Sequence, residues 1–271
     1  MNFIPTSIEA VIFDWAGTTV DFGSLAPICA FQRLFKANGV DITTAEAREP
    51  MGTEKREHIT RLTQMPRIAS VWQEKYGKAV SESDIDRLYE EFVPYQIEAI
   101  QERAHLIPDA KTVIQSLQEK GVKIGANTGY NREMLAALLP VAADYGYRPD
   151  SSVCSEDTPV GRPAPAMSLL NAVQLGVSHI AHCVKVDDTT MGVEEGVNAG
   201  MWSVGVAISG NETGLDLDEW QSLPEAQQQA YRENATAKLN NAGAHYVIDS
   251  IADLPAVLVT IEERLAKGER P

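Results

Sequence analysis

Two kinds of apolar pattern alternate along this chain. Short continuous runs rich in β-branched residues stand at 8–13 (Ile-Glu-Ala-Val-Ile-Phe), 122–126, 182–186, 202–207 and 245–248. Runs of that length and composition are the mark of strands buried on both faces of a parallel sheet. Between them, 134–139 and 166–175 place apolar residues at helical spacing. Strands alternating with helices predict an α/β fold with a doubly wound parallel sheet, Rossmann-like, in which ligands bind beyond the carboxyl ends of the strands.

From residue 22 to 103 the strand signal vanishes and the pattern is helical throughout. One helix is expected over 26–37, stopped at Asn38-Gly39; another opens near Thr43, with Glu46 three residues on as a capping box. A third starts near Ser83, places Ile85, Leu88, Tyr89 and Phe92 on one face, and meets Pro94, which is expected to kink it. Strand patterns stand both before and after this block, so it reads as an insertion. The expected division is an α/β core of residues 1–21 and 104–271 with a helical cap of 22–103. The polar stretch from about 210 to 243 is expected to run over the surface.

Length and charge narrow the picture. A chain of 271 residues, 44% apolar and 23% charged, is a globular protein of one or two domains. Its formal net charge of -15 disfavours nucleic acids and anionic membranes as partners. Cys29, Cys154 and Cys183 lie far apart without metal-ligand spacing and are expected to be reduced thiols. No apolar run approaches the ~20 residues of a membrane span, and no leader pattern opens the chain; the expected location is cytoplasmic.

The strand ends carry the chemistry. Asp14 closes the first run and precedes Gly17-Thr18; a carboxylate there either caps the next helix or binds something. Thr128 follows the second run and leads through Gly129 into a helix, so a hydroxyl and helix N–H groups can meet an anion. Arg162, in Gly161-Arg162-Pro163, offers a cation, and Asp187-Asp188 after the 182–186 run suit a hard divalent ion. Together they describe a phosphoryl-transfer site: Mg²⁺ neutralises charge, Arg162 and Thr128 hold oxygens, and Asp14 attacks phosphorus. In the helical block, Lys55 and His58 at i, i+3 share a face with Met51. A solvated lysine, a surface histidine and a core methionine are the alternatives for these three.

With these residues in view the chain resembles the haloacid dehalogenase superfamily, whose motifs read here as Val11-Ile12-Phe13-Asp14-x-x-Gly17-Thr18, Thr128, Arg162 and Asp187-Asp188. The resemblance implies a core of that type with an inserted α-helical cap. Two departures stand out. Phosphatases of the superfamily carry a second Asp two residues after the nucleophile, as acid for the leaving group; here it is Ala16, which keeps only its backbone carbonyl for a metal. The superfamily's commoner acidic pair is spaced, yet Gly192 stands four residues after Asp188. Asp188 is therefore the expected direct metal ligand and Asp187 direct or one shell out.

Asp14-Trp15-Ala16-Gly17-Thr18-Thr19-Val20-Asp21 with Met51-Gly52 and Lys55, extended by Thr128-Gly129-Tyr130, Gly161-Arg162-Pro163 and 198–202, closely resembles the phosphonatase family, the phosphonoacetaldehyde hydrolases. That resemblance implies P–C bond hydrolysis in 2-aminoethylphosphonate degradation, with a Schiff base at Lys55, an aspartyl phosphate at Asp14, Mg²⁺ and a homodimer. It places Thr128, Gly129, Tyr130, Arg162 and Met51 around a small phosphonate substrate and suggests proton transfer by His58. The alternatives are a Mg²⁺-dependent phosphatase or phosphomutase on small esters and a non-catalytic phosphate-metabolite module. His105, His179, His182 and His245 show no ligand spacing and are read as structural.

Overall fold

A computed structural model describes residues 7–271. The chain opens with β1 (Ala10–Phe13) and continues through five helices: α1 (Leu25–Ala37), α2 (Thr44–Arg48), α3 (Lys55–Gln64), α4 (Pro66–Tyr76) and α5 (Glu82–Arg103). Next come α6 (Ala110–Glu119), β2 (Lys123–Thr128), α7 (Arg132–Asp144), β3 (Ser151–Cys154), α8 (Ala166–Gln174), β4 (Cys183–Asp187) and α9 (Thr190–Asn198). The chain closes with β5 (Trp202–Val206), α10 (Leu217–Ser222), α11 (Glu225–Asn241), β6 (Tyr246–Ile248) and α12 (Leu254–Ala266).

The six strands form one parallel sheet in the order β3-β2-β1-β4-β5-β6. β1 lies in the middle and is buried on both faces, which explains its unbroken Ala-Val-Ile-Phe. Because its neighbours are β2 on one side and β4 on the other, the strand order reverses beside β1. The crevice at its carboxyl end is where such a sheet binds ligands. Phe13 pairs with Ala126 and Val186, so Asp14, Thr128 and Asp187-Asp188 emerge at one edge.

β3 was not legible in the sequence. It is a four-residue edge strand, Ser-Ser-Val-Cys, whose Ser151 hydroxyl donates to Asn171 Oδ1 at 2.7 Å; no apolar run announces it. The 210–243 stretch is also more ordered than its polarity suggests. It holds α10 and α11, and Ala235 and Leu239 of α11 bury against the sheet.

Helices α1–α5 all fall between β1 and β2. α2 carries the Thr43/Glu46 capping box, and α1 stops where Gly39 takes φ 66°. α5 begins after a Ser81/Asp84 capping box and passes Pro94 without a break, since a proline removes one rung of the ladder and its neighbours hold the rest. Phe31 of α1 stacks on Phe92 of α5 with centroids 4.3 Å apart, and on its other contact meets the His58 ring at 3.9 Å. This aromatic stack joins the helices that carry the block's polar residues. Phe92→Ala should lower unfolding stability by about 3–5 kcal/mol, read from urea denaturation. A shift in midpoint worth less than about 1 kcal/mol would mean that the stack is not what holds α1 to α5.

Candidate active site

Asp14 sits where β1 ends, its backbone N–H donating to Val186 O. Its side chain caps no helix; α1 is preceded by Ser24. Instead Arg162 Nη2 donates to Asp14 Oδ1 at 2.8 Å, leaving Oδ2 with no hydrogen bond among the described residues. Burial and the charge of Asp187 push the Asp14 carboxyl up to about 6, against the pull of Arg162 and Lys185.

Asp187 and Asp188 point to different tasks. Both Asp187 oxygens are engaged: Oδ2 accepts from Lys185 Nζ at 2.8 Å and lies 3.3 Å from Arg162, and Oδ1 accepts from the Thr189 N–H and hydroxyl. Burial raises its pKa, but Arg162 and Lys185 outweigh burial and hold it below the ordinary value. Asp188 has only the Thr18 hydroxyl on Oδ1 and the Asn211 N–H on Oδ2, and burial with the charges of Asp14 and Asp187 raises it well above the carboxylate range.

Gly192 explains the departure from spaced acids. A Cβ there would stand 1.9–2.2 Å from the Asp187 carboxylate atoms. The position is empty of side chain because Asp187 fills it from the strand side.

Asp14, Asp187 and Asp188 offer one oxygen each within 4.8 Å, all buried. With Glu195 they make four buried carboxylates facing two cations, Arg162 and Lys185. Two negative charges are left over in a low-dielectric site of oxygen donors, which fits a hard divalent cation. Asp14, Asp188 and the Ala16 carbonyl are the groups that would hold it.

Three members of this network escaped sequence reading. Glu195 of α9 accepts from Arg162 Nε at 2.8 Å with Oε2, and from Ser168 and Asn127 with Oε1. Asn127 Oδ1 accepts from both Arg162 and Lys185. Lys185 was the available signal, a lysine in the middle of a fully buried strand. Arg162, boxed by three carboxylates that outweigh its burial, is held protonated.

The helical block closes over this edge. Asp14, Ala16, Met51, Lys55, Thr128, Gly129, Tyr130 and Arg162 line one small cavity, together with Ser24, Pro27, Gly52, Thr53 and Thr189. The fit is close: a Cβ on Gly129 would lie 2.6 Å from Thr53 O. Thr128 turns its hydroxyl to accept from Tyr130 N–H at 3.1 Å.

Lys55 is no surface lysine. It is 3% exposed at the first position of α3, its Nζ 5.7 Å from the Phe31 ring and 5.4 Å from that of Tyr130, with no hydrogen bond among the described residues. Burial lowers its pKa to about 8; Arg162 pushes the same way, and Asp14, Glu54 and Asp188 resist. Its place at a helix N-terminus is likewise unfavourable to an ammonium.

His58, one turn on, is fully buried rather than on a helix surface. Its Nε2 lies 2.9 Å from Ala47 O, so the ring donates there, and Nδ1 has no partner. Burial and the Lys55 charge lower its pKa well below the ordinary value, so the ring is neutral with a lone pair on Nδ1. Met51 is 5% exposed and lines the cavity; Tyr130 is buried, its hydroxyl accepting from Gln96.

Residues 8–200 match the family model of the haloacid dehalogenase-like hydrolases. A phosphonoacetaldehyde hydrolase of Hahella chejuensis is 57% identical over 270 residues, covering 100% of this chain and 92% of the relative. One from Vibrio cholerae is 50% identical, covering 97% and 98%. The crystal structure of a phosphonoacetaldehyde hydrolase like protein from Oleispira antarctica superposes with a TM-score of 0.97 at 52% identity, covering 100% of this chain and 98% of that one.

Gly192→Ala is expected to push the Asp187 carboxylate off Lys185 and Thr189 and to weaken divalent-cation binding about 10- to 100-fold. Calorimetric titration reads this directly; unchanged affinity would show that Asp187 has room to spare.

Proposed function

The chain belongs to the haloacid dehalogenase-like hydrolases and, among them, to the phosphonoacetaldehyde hydrolases, enzymes acting on a carbon–phosphorus bond, and from that membership we propose how its residues share the work. The substrate is phosphonoacetaldehyde, the products are acetaldehyde and phosphate, and the reaction belongs to 2-aminoethylphosphonate breakdown. What carries the assignment is Lys55: a buried, unpaired amine with its pKa near 8, in one cavity with Asp14 and with no acid at position 16.

Cutting a P–C bond directly would expel a carbanion far too basic to leave. Lys55 in its neutral form adds to the aldehyde, and the carbinolamine takes up one proton from solvent and loses water to leave a protonated imine. Asp14 then attacks phosphorus as the P–C bond breaks, and the bonding pair flows into the imine to give a neutral enamine. Protonation at the enamine carbon and addition of water release acetaldehyde and restore Lys55. A second water cleaves the aspartyl phosphate and frees phosphate. No leaving oxygen needs a proton, so Ala16 suffices.

Arg162 and Thr128 hold phosphoryl oxygens, with Gly129 giving close backbone approach and Met51 and Tyr130 walling the carbon end. His58 Nδ1 takes up and returns the proton that imine formation moves. The divalent cation, which we take as Mg²⁺ on Asp14, Ala16 O and Asp188 with Asp187 beside it, supplies charge neutralisation for the phosphoryl group when bound. Residues 22–103 act as the cap that excludes water from the imine. A cytoplasmic location and a homodimer are part of this proposal, resting on the family.

Borohydride added with substrate should reduce the imine and label Lys55, found by peptide mapping; a label at another lysine, or none, would sink the mechanism. Asp14→Ala should abolish phosphate release. Because only neutral Lys55 attacks the aldehyde, trapped adduct in a single turnover should rise with pH through a titration near 8 and fall about tenfold per unit well below it. A flat profile from pH 6 to 9 would remove the depressed amine from the mechanism.

A further inference from the structure

At the opposite edge of the sheet from the catalytic pocket, a second group of ligating side chains converges. Glu9 immediately precedes β1 and His182 immediately precedes β4; the two strands are neighbours, and Glu9 N–H donates to His182 O at 2.9 Å. His179 lies three residues before His182, separated by one turn of 3₁₀ helix over Ile180–His182. In that helix i and i+3 eclipse, and the two imidazoles stack with centroids 5.0 Å apart. The i, i+3 spacing thus aims two rings the same way.

Both rings turn Nδ1 toward one carboxylate oxygen. His179 Nδ1 is 3.5 Å and His182 Nδ1 3.4 Å from Glu9 Oε1, and one donor atom from each of the three residues falls within 4.8 Å of the others. Those separations are long for a charge-assisted hydrogen bond, which runs at about 2.7–2.9 Å. They match the edges of about 3.3–3.4 Å between donors bound at about 2.0–2.1 Å around a tetrahedral zinc-type ion.

Glu9 is also held in place. Its Oε2 accepts from the Ser178 N–H at 2.7 Å, and its Oε1 accepts from the Ser178 hydroxyl and the His179 N–H. The Ser178 hydroxyl proton is thereby spent on Glu9, so Ser178 Oγ, 2.9 Å from His179 Nδ1, accepts from that ring in its Nδ1–H tautomer, and a bound ion would take the place of this proton. Such a carboxylate, fixed by neighbours before an ion arrives, is how outer groups tune metal sites. His179 is largely exposed and His182 and Glu9 partly so, which leaves an entry path and positions for water.

We propose that Glu9, His179 and His182 form a surface site for a borderline divalent transition cation of the zinc, nickel or copper class, separate from the catalytic pocket. Two imidazoles and one carboxylate select such an ion over Mg²⁺, which takes all-oxygen sets. Bound there, it would tie the starts of β1 and β4, the two strands whose far ends carry Asp14 and Asp187, and stabilise the folded chain by mass action.

The test uses tag-free, full-length protein in excess Mg²⁺, which keeps the catalytic carboxylates occupied. Zn²⁺ titrated by calorimetry should bind at one equivalent per chain and raise the thermal midpoint, and Co²⁺ in its place should give visible d–d bands of low coordination number. In H179A/H182A, that equivalent should weaken at least about 100-fold while phosphate release stays as in the parent. Glu9→Gln, which keeps the size and shape but replaces one of the two acceptor oxygens with a donor, should weaken it by about tenfold or more even if the double variant folds poorly. No stoichiometric Zn²⁺ binding in the parent, or binding undiminished in both variants, would overturn the proposal. In that case the three residues serve only as a pair of His–Glu contacts.

Discussion

Everything at the working edge of this protein follows from burying carboxylates at the ends of adjacent strands. Taking several like charges out of water is prohibitive unless each is given a partner. The chain meets that constraint by threading cations through the core, Lys185 from within β4 and Arg162 from a loop, and by letting Asn127 and Glu195 fix their directions. The result is graded. Asp187, with both oxygens satisfied, is held ionised, while Asp14 and Asp188 are left under-compensated. The two that remain short of positive charge are the two that would need to reach a cation or phosphorus.

The same logic separates the two cations that enter the cavity. Arg162 and Lys55 line one pocket, yet their surroundings are opposite. Arg162 is clasped by Asp14, Asp187 and Glu195 and stays charged; Lys55 lies against ring faces at a helix N-terminus, with no ion pair among the described residues, and burial outweighs the pull of Asp14, Glu54 and Asp188. An arginine could not serve as the amine, and a lysine in Arg162's place would lose the forked geometry that spans three carboxylates. The helical block and the sheet thus contribute different protonation states to one cavity, at which Gly129 and Thr53 pack closely.

Much of this was legible in the sequence because strand ends are conspicuous. Asp14, Thr128 and Asp187-Asp188 each terminate an apolar run, and a polar residue at that point in a parallel sheet has few reasons to be there except a ligand. The helical insertion was legible for a similar reason: the period changes from continuous runs to 3.6 and back. What stayed hidden depends on contacts distant in sequence. β3 is an edge strand stabilised partly through Ser151 and carries no run of its own. Glu195 looks like one of two glutamates on an ordinary helix until the sheet brings Arg162 to it, 33 residues away in sequence. His179 and His182 read as structural because the carboxylate that they face, Glu9, lies 170 residues or more away in sequence.

Two absent side chains complete the argument about chemistry. At position 16 a methyl group stands, and at 192 a hydrogen, where the superfamily resemblance implies carboxylates. The second absence is steric, since the Asp187 carboxylate occupies the volume a Cβ would need. The first is chemical in the mechanism we propose, where a leaving group that departs as an enamine needs an electron sink rather than a proton on oxygen. A site merely decayed from a phosphatase would have no cause to add a buried, desolvated lysine at the far wall of the same cavity. Burying an ammonium-forming group without a partner is costly, and here burial brings the amine down to about 8, the state the proposed chemistry uses. Under the proposed mechanism the alanine at 16 and the buried lysine at 55 belong together, and each makes sense of the other.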